Sequence, residues 1–150
     1  MKAKELASKF KMVPQKENGL VFEEQNKKGL LDRANSGHAY YYFKPKTPTK
    51  FHVIDCDEYW IYHGGDDLEV YEISPKGKLK IHMLGCSKKA KLCLFIKKGN
   101  ITATKPLKNN VDGTFVSLIT VPQFSPKGLQ ISSTKEIMRL CPEAKIFFDC

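Results

Sequence analysis

FHVIDCDEYWIYHGGDDLEV, residues 51–70, gathers the only tryptophan, two of the four histidines, a Gly-Gly pair and a cluster of acids among aromatics. Residues 50–54 suit a short strand, and Asp55-Cys56-Asp57 a turn. Glu58 to His63 suits a strand leaving that turn. Gly64, Gly65 and Asp66 turn the chain again, and Leu68 to Ile73 alternates as a strand should. Strand, turn, strand, turn, strand in twenty residues is the grammar of an antiparallel β-structure.

The same grammar runs outward from this stretch. Upstream, residues 2–11 suit a short helix with Leu6 and Phe10 on one face, ended by Pro14. LVFEEQ (20–25) and HAYYYFK (38–44) suit strands, separated by a polar, glycine-punctuated loop over 27–37. Downstream, strands are expected at 79–84, 92–96, 101–105 and 114–121, with turns at 74–77, 97–100 and 109–113 and a loop at 122–128. Residues 133–140 suit a C-terminal helix capped by Ser133 or Thr134 and closed by Pro142. No helical pattern alternates with the strands, so a parallel βαβ sheet is excluded. The expectation is a sandwich or closed barrel with helices at its ends. One domain is expected: helix and linker over 1–14, barrel over 20–131, helix over 133–141.

Composition narrows the class. No apolar run reaches the ~20 residues of a membrane span, and residues 1–13 lack a signal-peptide core, so a cytosolic protein without a membrane partner is expected. The five cysteines are odd in number and lack CxxC spacing, which argues for reduced, mostly buried thiols; Cys150 could react. The net charge of +9 comes from lysines spread along the chain, with arginine only at Arg33 and Arg139. A solvated lysine surface fits this better than a nucleic-acid footprint, which favours clustered arginine.

His52, Glu58 and Gly65 fall at the spacings of a known motif: His-x-His, three or four residues, Glu, six residues, Gly. In this the chain resembles the cupin superfamily. Ile54 occupies the second histidine position. In the second motif of that superfamily, Gly99 matches a glycine, Lys97 replaces a proline and Thr102 stands at the histidine. The closer resemblance is to small single-domain cupins of unknown function with a Phe/Trp-His, Asp-Glu-x-Trp, Tyr-His-x-Gly segment, matched by Phe51-His52, Asp57 to Trp60 and Tyr62 to Gly65. The likeness extends to Pro14–Glu24, Tyr40–Phe43, Val121–Phe124 and Lys135–Glu143, and so to nearly the whole chain.

The resemblance implies an all-β jelly-roll barrel, a homodimer, and His52 and Glu58 at one mouth of the barrel. An imidazole and a carboxylate can ligate a divalent metal, yet a firm site needs three or four ligands, and two family positions are Ile54 and Thr102. A metal-free pocket is therefore expected, with His52 and Glu58 as a proton-transfer pair or as a mutually satisfied structural pair. Tyr42, Trp60 and Tyr62 are expected to shape the pocket, with His63 nearby if a bulge intervenes and Arg33 at the rim for a carboxylate or phosphate. His38 and His82 have no partner at a recognisable spacing. The leading function is binding of a small molecule, a sugar or nucleotide-sugar, with isomerase- or epimerase-like chemistry. A metal-dependent cupin such as a dioxygenase and a non-enzymatic module with a basic surface are the alternatives.

Overall fold

A computed structural model describes residues 2–23 and 33–149. Two antiparallel sheets share one interior. The first has the order β1 (Val13–Pro14), β2 (Leu20–Glu23), β3 (Gly37–Phe43), β10 (Thr114–Val121), β5 (Asp57–Gly65), β8 (Cys93–Ile96). The second runs β11 (Gln130–Ile131), β4 (His52–Val53), β9 (Ile101–Pro106), β6 (Leu68–Ile73), β7 (Leu79–Leu84). Helix α1 (Ala3–Ser8) lies across the outer face of the first sheet, over β3, β10 and β5. Helices α2 (Thr134–Leu140) and α3 (Lys145–Phe148) cover the second sheet. The expected all-β barrel with terminal helices is what forms. The two-residue strands β1 and β11 and helix α3 are additions, too short to carry a periodic signal of their own. Residues 24, 25 and 27–32 of the expected strand and loop, and Cys150, lie outside the described residues.

Each sheet has one wet or helix-covered face and one inner face, which explains the alternation along the strands. Tyr41, Phe43, Trp60, Leu94, Ile96 and Val116 of the first sheet meet Leu68, Val70 and Leu84 of the second in a buried core. That core fills only part of the barrel. A second cluster, including Phe51, Tyr71, Ile73, Ile137 and Phe147, seats α2 and α3 on the outside of the second sheet. Helix α2 carries the expected cap: Ser133 Oγ accepts from Glu136 N at 3.2 Å, and Glu136 Oε2 from Ser133 N at 2.7 Å.

Gly65 shows why the motif demands glycine there. Its φ is +98°, and a Cβ would fall 2.1 Å from the Gly113 carbonyl oxygen and 2.5 Å from Ala3 Cβ. The close approach lets α1 seat against the β5 turn, with Asp112 accepting from Ala3 N and Lys4 N at 2.7 and 3.2 Å.

Among the described residues the cysteines are not mostly buried. Cys56 and Cys141 are, while Cys86 and Cys93 are exposed; all four are free. Burial and the flanking acids push the Cys56 thiol up to about 12, so it behaves as an inert packing group. Among the described residues no helix is long and apolar enough to cross a membrane.

Candidate functional site

The part of the barrel left open by the core is a cavity between the two sheets, with a volume of about 70 Å³ when measured as the space open to the centre of a water molecule. By that measure a water needs roughly 10–15 Å³, so there is room for several waters or a small ligand. His52, Ile54, Glu58 and Trp60 line it, joined by Tyr41, Phe43, Leu118, Thr120 and Gln123. Strand β4 and the bend after it supply His52 and Ile54. Alternation along β5 then directs Glu58 and Trp60 inward while Tyr59 faces out.

His52 is fixed by its own strand. Nδ1 lies 2.8 Å from the Lys50 carbonyl oxygen, which can only accept, so Nδ1 carries the proton. In the neutral ring this leaves Nε2 as the lone-pair nitrogen. Among the described residues nothing bonds it, and Glu58 forms neither an ion pair nor a hydrogen bond with it. Glu58 is buried in apolar surroundings, and that desolvation pushes its carboxyl up to about 8; the nearby Trp60 indole tempers the rise and the Glu17 charge adds to it. The indole N–H does not reach hydrogen-bond geometry with any group among the described residues. The result is a carboxylic acid still largely protonated at neutral pH, lining the same cavity as an imidazole.

Glu17, absent from the sequence-derived site, is the third polar anchor. It is 7% exposed, its Oε1 accepts from the Tyr41 hydroxyl at 3.0 Å, and its Oε2 has no partner among the described residues. Gly19 makes the contact possible, since a Cβ there would fall 2.0 Å from the Tyr41 ring. Nothing local in PQKENG distinguishes Glu17 from a solvent-facing acid.

Tyr42 is a correction. The inward residues of β3 are Tyr41 and Phe43, and Tyr42 lies on the outer face beneath α1, packed with Phe115 and Ala3, its hydroxyl donating to the Asp112 carbonyl at 2.8 Å. Tyr62 packs against the core, donates to the Gly65 carbonyl at 2.6 Å and does not line the cavity. His63 sits at a β-bulge. Val116 pairs with Tyr62 and Phe115 with Gly64, so His63 is the extra residue. It remains on the outer face, exposed, with Nε2 2.6 Å from Ser117 Oγ. His38 reaches the same oxygen from β3 at 2.9 Å. Burial and the neighbouring His38 hold the His63 imidazole below its ordinary range. Arg33 is not among the lining residues and is committed: Nη1 and Nη2 donate to Asp55 at 3.0 and 3.1 Å and Nε to the Gln123 carbonyl at 2.8 Å. It anchors the segment carrying Gln123 rather than facing the cavity.

The acid–imidazole pair anticipated at His52 and Glu58 exists elsewhere. His82 Nε2 and Glu72 Oε2 are 2.7 Å apart, and Asn100 donates to Glu72 Oε1 at 2.6 Å. These bonds hold the Glu72 carboxyl below the usual carboxylate range. Glu72 is cross-strand from Thr102, which is cross-strand from His52.

A metal of the kind this fold implies would have to bind at His52 and Glu58. Ile54 offers no donor, Thr102 offers a hydroxyl instead of an imidazole, and Glu72 is already occupied by His82 and Asn100. No three His, Cys, Asp or Glu side chains converge among the described residues, so the donor set does not fit a firmly held ion.

No curated protein matches the chain. Among solved structures, a Shewanella oneidensis protein superposes with a TM-score of 0.85 at 22% identity, over 97% of this chain and 94% of its own. A hypothetical protein from Leishmania major gives 0.82 at 22%, over 95% and 94%. A variant of oxalate decarboxylase from Bacillus subtilis gives 0.61 at 16%, over 91% of this chain and 34% of that larger one. At these identities the likenesses establish the fold, a jelly-roll barrel. The family profile described as Cupin superfamily (DUF985) matches residues 4–132, and the chain therefore belongs to that family of cupins.

Proposed function

We propose that the cavity binds a small molecule and that His52 and Glu58 move a proton on it, in the manner of a sugar or nucleotide-sugar isomerase or epimerase. One observation carries this: His52 and Glu58 line the same cavity without bonding each other. A structural pair would have closed on itself, as Glu72 and His82 do. Two unclosed groups of complementary character, a lone-pair nitrogen and a neutral carboxyl, suit a base and an acid on either side of a substrate carbon. Phe43 and Trp60, stacked at 5.5 Å and 19°, give the ligand an apolar wall.

The test is proton exchange in D₂O. Incubation with aldoses and ketoses should label the carbon next to the carbonyl, followed by NMR, and His52→Gln should abolish the labelling. A ligand detected by native mass spectrometry with no exchange in any substrate would leave a binding protein and remove the enzyme.

A homodimer is proposed as well. Tyr59 and Phe95 pack on the outer face of β5 and β8 with ring centroids 5.1 Å apart and tilted by 44°, and with Val121 they are exposed. Sedimentation of Tyr59→Ser/Phe95→Ser as a monomer, against a dimeric parent, would support this face; an unchanged dimer would discard it.

A further inference from the structure

We infer that residues 122–129 form a strap over the barrel cavity and that the Arg33–Asp55 ion pair is the latch that holds it shut. This rests on the proposed cavity site and adds how a ligand reaches it. Two observations carry it: the way the cavity is walled, and the way both ends of the strap meet one ion pair.

Most of the wall is strand. Val21, Tyr41, His52, Glu58 and Thr120 stand in the sheet ladders and move only with their sheets. Gln123, Phe124 and Leu129 line the same space from the connection between β10 and β11, which pairs with neither sheet. Trp60 is 2% exposed, and His52 and Glu58 are buried with it. A ligand reaches them by displacing a wall, and the segment outside the ladders is the one that opens at least cost.

The near end of the strap is tied at Gln123. Its N donates to the Ala34 carbonyl at 3.0 Å, its Oε1 accepts from Ala34 N at 3.2 Å, and its carbonyl accepts from Arg33 Nε at 2.8 Å. Phe124 N donates to Thr120 Oγ1 at 3.0 Å. The far half bonds within itself, Gly128 N to the Ser125 carbonyl at 2.9 Å and Leu129 N to the Pro126 carbonyl at 3.3 Å. It is seated by packing on Asp55: a Cβ on Gly128 would fall 2.2 Å from Asp55 Oδ1. Asp55 in turn accepts from Arg33 Nη1 and Nη2 at 3.0 and 3.1 Å. Arg33 therefore grips the near end directly and the far end through Asp55. The two side chains are 29% and 46% exposed, and an ion pair so open to water is weak and weakens further with salt. A closure held in this way opens on a small perturbation.

Trp60 is the only tryptophan and lines the cavity, so quenching of its fluorescence by acrylamide reports the strap with no ligand present. The parent should quench weakly. Arg33→Ala, and separately about 1 M sodium chloride, should raise the Stern–Volmer constant about threefold. Gly128→Ala should do the same without removing a charge, because its Cβ meets Asp55. Hydrogen exchange should quicken in residues 122–129 of both variants and stay unchanged in β3 and β10, with circular dichroism as the check on folding. If Arg33→Ala does not fold, Gly128→Ala and the salt series carry the same comparison. Parent-like quenching in the variants, or faster exchange throughout the barrel, would overturn the latch and leave the cavity site standing. Strong quenching of the parent itself would overturn the strap, since the cavity would then be open without it. The cavity reading stands or falls separately, on the deuterium labelling and native mass spectrometry described above.

Discussion

Two glutamate–histidine couples sit in this barrel, and they differ in a single respect. Glu72 and His82 touch, at 2.7 Å, and Asn100 completes the carboxylate. Glu58 and His52 share a cavity and do not touch. The consequence appears in their acidities: the Glu72 carboxyl is held below its ordinary range, and the Glu58 carboxyl is pushed up to about 8. Bonds from His82 and Asn100 outweigh burial in the first couple, and burial wins in the second. A satisfied couple stabilises a fold, while an unsatisfied one is a cost that a site tolerates for chemistry.

The comparison can be broken most forcefully at Glu58. Because its folded pKa lies above its unfolded value, the folded protein binds the extra proton between about pH 4.5 and 8, and stability should fall as pH rises through that window. At about 1.4 kcal/mol per unit the full effect is on the order of 3–5 kcal/mol. Glu58→Gln should flatten this part of the denaturation profile, and an unchanged slope would mean that Glu58 is solvated and charged.

The next largest effect is expected at the closed couple. His82→Leu leaves the buried Glu72 with Asn100 alone and should destabilise by roughly 1–3 kcal/mol. In a chain of this length that corresponds to roughly 2–4 °C in Tm per kcal/mol, measurable by calorimetry. Glu72 also has the opposite sign to Glu58: its contribution is present above the unfolded carboxyl pKa and is lost as pH falls through the lowered folded one. Acid titration of Glu72→Gln should lack that loss.

A double-mutant cycle sharpens the contrast further. Coupling between Glu72→Gln and His82→Leu should exceed about 0.5 kcal/mol, and coupling between Glu58→Gln and His52→Ala should fall below it. Equal couplings would erase the distinction. The smallest effect is expected for Trp60→Phe, which deletes an unpartnered N–H at the expense of some packing; stability should change by less than about 1 kcal/mol, and a large loss would reveal a hydrogen bond at Nε1.

The legible part of the site was the part written in short-range order. His52, Glu58 and Gly65 stand at motif spacing, and strand alternation correctly sent Glu58 and Trp60 inward together. Tyr40-Tyr41-Tyr42 offered no such guide. Three identical residues in a strand read the same in either register, and a one-residue shift exchanges the faces, which is why Tyr42 was expected inside and Tyr41 was found there. The outer face then absorbs the other two: Tyr40 stacks on Phe10 at 4.5 Å, and Tyr42 packs on Phe115. His38, unassigned in the sequence, joins His63 on Ser117 because β10 lies between β3 and β5, a strand order with no trace in local sequence.

The sequence by itself determined an all-β fold of cupin type, its strand boundaries to within a few residues, and the turn chemistry that brings His52 and Glu58 to one cavity, because alternation, turn residues and motif spacing are local. Tertiary structure alone decided which acid pairs with which histidine, that Glu17 enters the barrel, that Arg33 is occupied, and how much of the interior stays open. Those outcomes depend on side-chain contacts between residues 10 to 90 positions apart, such as Glu72 with His82, Tyr41 with Glu17 and Arg33 with Gln123. Burial sets the charge state of Glu58 only once the barrel has closed around it.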